Sequence, residues 1–125
     1  MTRAFLFALY LGARPVFAAV DPKTLLVDPV DVEGKIARKT RAINIVQLGG
    51  NICDMDAFID IGKRYGIAIV EDAVHAWGAE WNGKKIGSFG DITCFSLQGV
   101  NPTSKPIAGG EGGMVITNNR EFYEC

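Results

Sequence analysis

The chain has 125 residues, of which 48% are hydrophobic and 22% charged, and its formal net charge is −1. This length accommodates one domain at most, and the composition excludes a disordered tail, which would carry fewer apolar residues and a larger net charge. Because basic and acidic residues are interspersed along the chain, no basic surface for nucleic acid is predicted.

The first twenty residues have two interpretations. An apolar run at residues 4–13 follows Arg3, and small residues stand at positions 18 and 19, a pattern typical of a secretory signal peptide. The run is too short to span a membrane. The second interpretation, which we favour, is an amphipathic helix that leads into a strand at residues 15–20.

The middle of the chain alternates helices with strands. Residues 28–38 predict a helix, because an aspartate suited to the N-cap is followed by a proline suited to the first turn. Residues 42–46 are rich in β-branched side chains and predict a strand. A second helix is predicted over residues 55–65, between a capping aspartate and a glycine. The apolar run at 67–70 is typical of a buried parallel strand.

The last third of the chain predicts two more strands, at residues 93–97 and 114–117, joined by a glycine-rich loop. The whole alternation indicates an α/β protein, with a three-layer α/β/α arrangement around a mostly parallel sheet. In such sheets ligands bind beyond the carboxyl ends of the strands. The residues at those ends are therefore the first candidates for a functional site.

Three cysteines, Cys53, Cys94 and Cys125, are widely spaced and odd in number. Only His75 could join them in a metal site, and both disulfide frameworks and zinc sites need denser ligands. We therefore expect reduced thiols in a cytoplasmic protein, with no metal site.

Two features lie where a ligand is expected. Glu71 and Asp72 follow an apolar strand, so one carboxylate should face the crevice; the competing interpretation is that Asp72 only caps the next turn. Lys105 precedes the glycines of 109–113, whose backbone N–H groups can bind anions; the competing interpretation is a solvated surface lysine. Together they fit a pyridoxal 5′-phosphate (PLP) site, which needs a lysine for covalent attachment and a carboxylate that keeps the ring nitrogen protonated.

Several unrelated blocks of the sequence match one known family, in the family's order. They are residues 10–17, 54–56, 70–76, 87–91, 94–97 and 110–113. On these blocks the chain resembles the DegT–StrS family of PLP-dependent sugar aminotransferases. That resemblance implies the aspartate-aminotransferase-like fold, known as fold type I.

The resemblance also implies roles for single residues. Asp72 would pair with the pyridinium nitrogen, Val74 would pack on the ring face, and His75 would approach the ring hydroxyl. Ser96 would bind the cofactor phosphate. Lys105 would be the catalytic residue, serving both as the covalent attachment point and as the general base. For His75 the alternative is a structural histidine.

The implied activity is the transfer of an amino group from an amino acid, such as glutamate or glutamine, to a keto sugar that is typically nucleotide-linked. The resemblance implies a cytoplasmic homodimer whose other partners are small molecules, with neither nucleic acid nor membrane among them. The alternative is a catalytically inactive relative, or a truncated fragment, with a structural or interaction role. A secreted binding domain is a third interpretation, and it depends on the first twenty residues alone.

The chain departs from the family pattern in five places. The family's N-terminal segment, with its phosphate-binding helix start, and its C-terminal small domain are absent, so we expect residues 1–125 to be a partial PLP-binding large domain. Ser96 and Lys105 stand nine positions apart, farther than in the family, and residues 100–103 are interpreted as an insertion that could displace Lys105. Gln47 replaces an expected histidine, and position 74 carries valine where alanine is usual.

Overall fold

The computed structural model describes residues 4–98 and 110–124. A 3₁₀ turn (Leu48–Gly50) forms part of the connection between the strand that ends at Val46 and the helix that begins at Met55. The helices and strands, in chain order, are α1 (Ala4–Tyr10), α2 (Pro29–Gly34), β1 (Ala42–Val46), α3 (Met55–Tyr65), β2 (Ala68–Asp72), β3 (Glu80–Trp81), β4 (Lys84–Lys85), β5 (Ile92–Ser96), β6 (Gly113–Ile116) and α4 (Arg120–Tyr123).

The main sheet has four strands in the order β1-β2-β5-β6. The first three run parallel, and β6 is antiparallel to β5. This confirms the predicted α/β class and the mostly parallel sheet. The carboxyl ends of β1, β2 and β5 consequently lie along one border, together with the start of β6. We call this border the site edge, and it comprises residues 46–50, 72–77, 96–98 and 110–113.

Helix α3 forms where the sequence predicts it and crosses between β1 and β2. The Asp54 carboxylate accepts from the amide of Ala57 at 3.0 Å, and Gly66 ends the helix with a φ of 63°. That left-handed backbone suits glycine because it has no Cβ. Met55 and Phe58 are fully buried against the sheet, and burial of a side chain the size of Phe58 contributes roughly 1.5–3 kcal/mol.

One face of the sheet is the core. Ile43 of β1 lies opposite Ile69 of β2, and both are buried together with Ile45. Helix α3 approaches this face closely at Gly62, where an added Cβ would stand 2.9 Å from Cγ1 of Ile69 and 3.0 Å from the carbonyl oxygen of Ile67. The glycine therefore sets the spacing between the helix and β2.

The N-terminal part of the chain differs from the prediction. A helix is present, α1, but the strand predicted at residues 15–20 is wrong. Only Val20 makes a bridge, to Val27, while Val16 and Phe17 are 62% and 69% exposed. The run is apolar enough for a strand, yet no strand among the described residues pairs with it. In the part of the chain that the structure describes, no helix is long and apolar enough to cross a membrane.

Two other elements differ from the prediction. Helix α2 ends at Gly34 and not near residue 38, because the chain turns at Lys35, whose amide bonds back to the carbonyl of Val32. The β3–β4 hairpin was not predicted at all. Its turn, Asn82-Gly83, has φ angles of 49° and 77°, which is the backbone that a two-residue hairpin needs and that an Asn-Gly pair favours.

Cys53 and Cys94, the two cysteines within the described residues, form no disulfide there; Cys125 lies outside the described residues, and the expectation of reduced thiols stays a prediction. Burial raises the pKa of Cys53 to about 11. A thiol with so high a pKa stays protonated at neutral pH and is a poor nucleophile. Cys53 therefore acts as a small core residue.

Candidate functional site

The carboxyl end of β2 places two carboxylates on opposite faces of the sheet. Strand alternation turns Glu71 into the core, where it is fully buried, and leaves Asp72 half-buried on the other face. In the register of the parallel strands, Asp72 lies between Val46 of β1 and Cys94 of β5. Asp72 thus occupies the middle of the site edge.

The Asp72 carboxylate has few partners among the described residues. Its Oδ1 accepts from the amide of Val74 at 3.4 Å, whereas the N-cap carboxylates of Asp28 and Asp54 accept at 2.8 and 3.0 Å. Capping is therefore a weak account of this residue. Within residues 4–98 and 110–124, no lysine, arginine or histidine forms an ion pair with it. As far as the described residues go, the carboxylate is available to a cationic ligand.

The pKa of the Cys94 thiol responds to the charge of Asp72. The pKa of the half-buried Cys94 thiol is raised, first by burial and second by the nearby negative charge of Asp72. A negative neighbour disfavours the thiolate, as it would disfavour any second anion. The same charge favours a cation placed at this point of the sheet.

The loops that follow β1 and β2 meet at His75. Its exposed ring takes a weak hydrogen bond, 3.5 Å from the Gly49 amide to Nδ1. A Cβ added at Gly50 would stand 3.4 Å from the His75 carbonyl oxygen. Because Nδ1 is the acceptor, Nε2 of a neutral ring carries the proton. The imidazole can therefore donate from Nε2 at the site edge, and the half-buried Val74 lies between it and Asp72 in the chain.

Ser96 ends β5 beside the glycine-rich segment, opposite Gly113 of β6. Its hydroxyl oxygen accepts from the amide of Gln98 at 3.3 Å. The next residue, Leu97, donates its amide to the carbonyl of Gly112 at 2.8 Å. These contacts bring the Ser96 hydroxyl and the start of β6 together at the site edge.

Lys105 and the interpreted insertion at 100–103 lie outside the described residues. The residues on either side are described: the Gln98 side chain donates to Glu111, and Gly110 has a φ of 114°. Both flanks belong to the site edge. The structure therefore brings together Asp72, Val74, His75 and Ser96. The described residues on both sides of the segment that carries Lys105 also belong to the site edge.

Trp77 also belongs to this site, although the sequence analysis did not single it out. Its indole Nε1 donates to the carbonyl of Ser96 at 2.7 Å. Its ring lies 4.7 Å from that of Phe95, measured between centroids. The Trp77 side chain is 37% exposed, and only the folded chain shows that the acceptor for its indole N–H is Ser96.

We expect Trp77→Phe to loosen the end of β5, because phenylalanine keeps a ring against Phe95 and removes the donor to Ser96. The lost bond should lower the free energy of unfolding by about 1 kcal/mol, measured by urea unfolding. The amide of Leu97 should exchange faster with solvent.

The matched control is Trp81→Phe. The Trp81 indole donates to Asp56 at 3.0 Å, in the hairpin and away from the site edge. A similar loss of stability with unchanged exchange at Leu97 is expected. Equal exchange at Leu97 in both variants would contradict the positioning of Ser96 by Trp77.

Gln47, which stands where a histidine was expected, has a structural role. It is fully buried, its Oε1 accepts from the amide of Cys53 at 2.8 Å, and its Nε2 lies 3.1 Å from the sulfur of Met55. Its own amide donates to the carbonyl of Asp72 at 3.0 Å. Gln47 thus fixes the connection into α3 beneath the site edge.

Comparison with known proteins agrees with the resemblance found in the sequence. The chain matches the DegT/DnrJ/EryC1/StrS aminotransferase family over residues 4–125. It is 41% identical over 115 residues to a GDP-perosamine synthase of Escherichia coli O157:H7, and 44% identical over 113 residues to a pleiotropic regulatory protein of Geobacillus stearothermophilus. These alignments cover 92% and 90% of the chain but only 30% of each relative. The chain thus spans less than a third of their length.

Solved structures give the same likeness. An aminotransferase from Psychrobacter cryohalolentis is 32% identical with a TM-score of 0.88, over 98% of this chain and 30% of that one. Helicobacter pylori PseC, an aminotransferase involved in pseudoaminic acid biosynthesis, is 32% identical with a TM-score of 0.83, over 93% of this chain and 30% of that one. The likeness confirms the fold that the sequence predicts.

Proposed function

Because the chain belongs to the DegT/DnrJ/EryC1/StrS aminotransferase family, we propose that its site edge binds PLP and serves amino transfer from an amino acid to a keto sugar. The names of a perosamine synthase and of PseC among its relatives support a sugar as acceptor. In this proposal residues 1–125 are part of the PLP-binding large domain of a cytoplasmic, homodimeric enzyme. Glutamate or glutamine would be the donor.

One observation carries the proposal: the half-buried Asp72 carboxylate, in the middle of the site edge, has no ion pair within the described residues. When bound, PLP supplies a protonated pyridinium ring that withdraws electrons from the substrate carbon. A carboxylate within hydrogen-bond reach of the ring nitrogen keeps that proton in place. Asp72 has the charge and the position for this task.

The other donors at the site edge suit the rest of the cofactor. The hydroxyl of Ser96 and the backbone N–H groups of 110–113 are suited to a phosphate. The Nε2 proton of His75 is suited to the ring hydroxyl, and Val74 offers an apolar surface for the ring. Lys105 would supply the amine for covalent attachment and would move the proton during amino transfer.

Titration of the 125-residue chain with PLP, followed by borohydride reduction and peptide mass spectrometry, tests the proposal. We expect saturable binding with absorbance in the visible range, and one reduced adduct, on Lys105. Adducts scattered over surface lysines, or no saturable binding, would overturn PLP chemistry at this site.

A second function is favoured by one specific observation. The relative from Geobacillus stearothermophilus is named a pleiotropic regulatory protein, and the interpreted insertion at 100–103 lies between Ser96 and Lys105. A relative without catalysis, acting through interactions, would keep the fold and lack the adduct. The same reduction experiment separates the two functions, because only the aminotransferase requires covalent attachment at Lys105.

A further inference from the structure

Glu71 is an acidic residue buried in the core. Its side chain is fully inaccessible, and in the described part of the chain it forms no ion pair. Its Oε1 accepts two hydrogen bonds, while its Oε2 has no partner there. A buried polar atom without a partner costs stability. An apolar residue of similar size would avoid this cost but would leave the two groups that donate to Oε1 without an acceptor, so those two bonds define what Glu71 does.

The two bonds to Oε1 join β2 to the entry of β5. The amide of Gly90 donates at 2.7 Å and the hydroxyl of Thr93 at 2.9 Å. A Cβ at residue 90 would stand 2.9 Å from the carbonyl of Ile69 and 3.0 Å from Cγ of Glu71. Only glycine permits this approach, so the loop is shaped to meet the carboxylate.

Asp91 adds a second link beside the first. Its amide donates to the carbonyl of Ile69 at 2.8 Å, and its Oδ2 accepts from the amide of Ile69 at 2.8 Å. We call the contacts of Glu71 and Asp91 across β2 and β5 the carboxylate seam. The seam fixes where β5 begins relative to β2, and therefore fixes the register of the two strands.

The register decides what stands beside Asp72. Cys94 is opposite Asp72, and Ser96 lies two residues farther along the same face of β5. Because side chains alternate along a strand, a slip of one residue would turn Ser96 to the opposite face. The position of Ser96 at the site edge therefore depends on contacts made on the buried face.

We propose that Glu71 is a positioning residue: from the core side of β2 it holds the entry of β5, and so keeps Ser96 at the site edge, on the face of the sheet that carries Asp72. This rests on the proposed function for the cofactor, but the strand placement is independent of it. Glu71 touches neither cofactor nor substrate in this role, and acts through Gly90 and Thr93.

The test compares Glu71→Leu, which removes both acceptor contacts, with Glu71→Gln, which keeps an acceptor oxygen of the same reach. Amide exchange in the 125-residue chain without cofactor is the first measurement. The Ala73 amide, which donates to the carbonyl of Cys94 at 2.9 Å, reports whether β5 lies beside Asp72. We expect about tenfold faster exchange at Gly90 and Ala73 in Glu71→Leu, and wild-type exchange in Glu71→Gln.

PLP affinity is the second measurement. We expect it to fall about tenfold or more in Glu71→Leu and to stay within about twofold in Glu71→Gln. Ile61→Val, a core change on α3 outside the seam, controls for general loss of stability and should leave both measurements unchanged. Thr93→Val removes one of the two bonds and serves where Glu71→Leu fails to fold; it should give a smaller change in the same direction.

The outcomes are separable. If the wild-type chain does not bind PLP, the proposed function fails, while the exchange data still decide the role of Glu71. If exchange at Ala73 in Glu71→Leu and Thr93→Val matches the wild type, or rises equally in Ile61→Val, the positioning role of Glu71 is overturned.

Discussion

Lys105→Ala is expected to abolish covalent retention of PLP. Its amine is the proposed point of attachment, and alanine has no nucleophile to replace it. The visible absorbance that accompanies binding should disappear, and borohydride reduction should leave no adduct on the segment between Gln98 and Gly110. In an enzyme assembled with this chain, loss of the same amine as proton carrier should lower amino transfer by about 10²–10⁴-fold.

Lys85→Ala is the matched control. The Lys85 amine pairs with Glu80 at 2.6 Å and donates to the carbonyl of Gly78 at 3.2 Å, in the hairpin. Its removal changes one lysine without touching the site edge, so absorbance and adduct should remain. An adduct that persists in Lys105→Ala, or that is lost in Lys85→Ala, would show that another lysine is the attachment point.

The sequence predicts the middle and the C-terminal strands of this fold better than its N-terminal part. Helix α3 and strands β1 and β2 carry complete local signals: a capping aspartate at 54, a left-handed glycine at 66 and a β-branched run before and after. The two capping signals of α3 are satisfied inside its own segment, so no tertiary information is needed to place the helix. The run at 15–20 is as apolar as these strands, but pairing depends on a neighbour, which the local pattern does not contain.

The hairpin shows a different limit. Its Asn82-Gly83 signal is present in the sequence, but the flanking strands are only two residues each, too short to show alternation. Asp56 holds the hairpin by accepting from Trp81 and Asn82. That anchor is about 25 positions away in the chain, so it becomes visible only in the fold.

Some residues of the candidate site could be predicted from the sequence, and others could be found only in the fold. Asp72, His75, Val74 and Ser96 are predicted from motif resemblance, because such motifs record residue types at a strand end. The contributions of Glu71, Trp77 and Gln47 depend on which backbone atom lies opposite each side chain. The sequence shows that Glu71 precedes Asp72. It does not show that the Glu71 carboxylate accepts a hydrogen bond from the Gly90 amide at the entry of β5.

Asp72→Asn should lower the pKa of the ring nitrogen of bound PLP by about 1–3 units. Asparagine keeps the shape of the side chain and removes the negative charge that favours the protonated ring. The protonated form is therefore lost at lower pH than in the wild type. The change corresponds to about 1.4–4 kcal/mol, and a pH titration of the absorbance of the bound cofactor measures it.

Asp60→Asn serves as the control for this change. Asp60 pairs with Arg64 on α3, and its side chain is 63% exposed, so its loss removes one negative charge without altering the site edge. The titration of the cofactor should match the wild type. An equal shift in both variants would mean that total charge, and not Asp72, sets the state of the ring.

Cys94 supplies an independent measure of the same charge in the absence of cofactor. Burial is the larger cause of its raised pKa and the charge of Asp72 the smaller. Asp72→Asn removes the second cause, so the pKa of the Cys94 thiol should fall part of the way towards that of a free thiol.

The rate of reaction with iodoacetamide at a fixed pH near 8 measures this change, because the thiolate is the reactive form. Cys94 should react faster in Asp72→Asn than in the wild type. Cys53 should stay slow, since burial raises its pKa to about 11. If the rate at Cys94 is unchanged, Asp72 exerts no field at the middle of the sheet, and its assignment to a pyridinium ring loses its electrostatic basis.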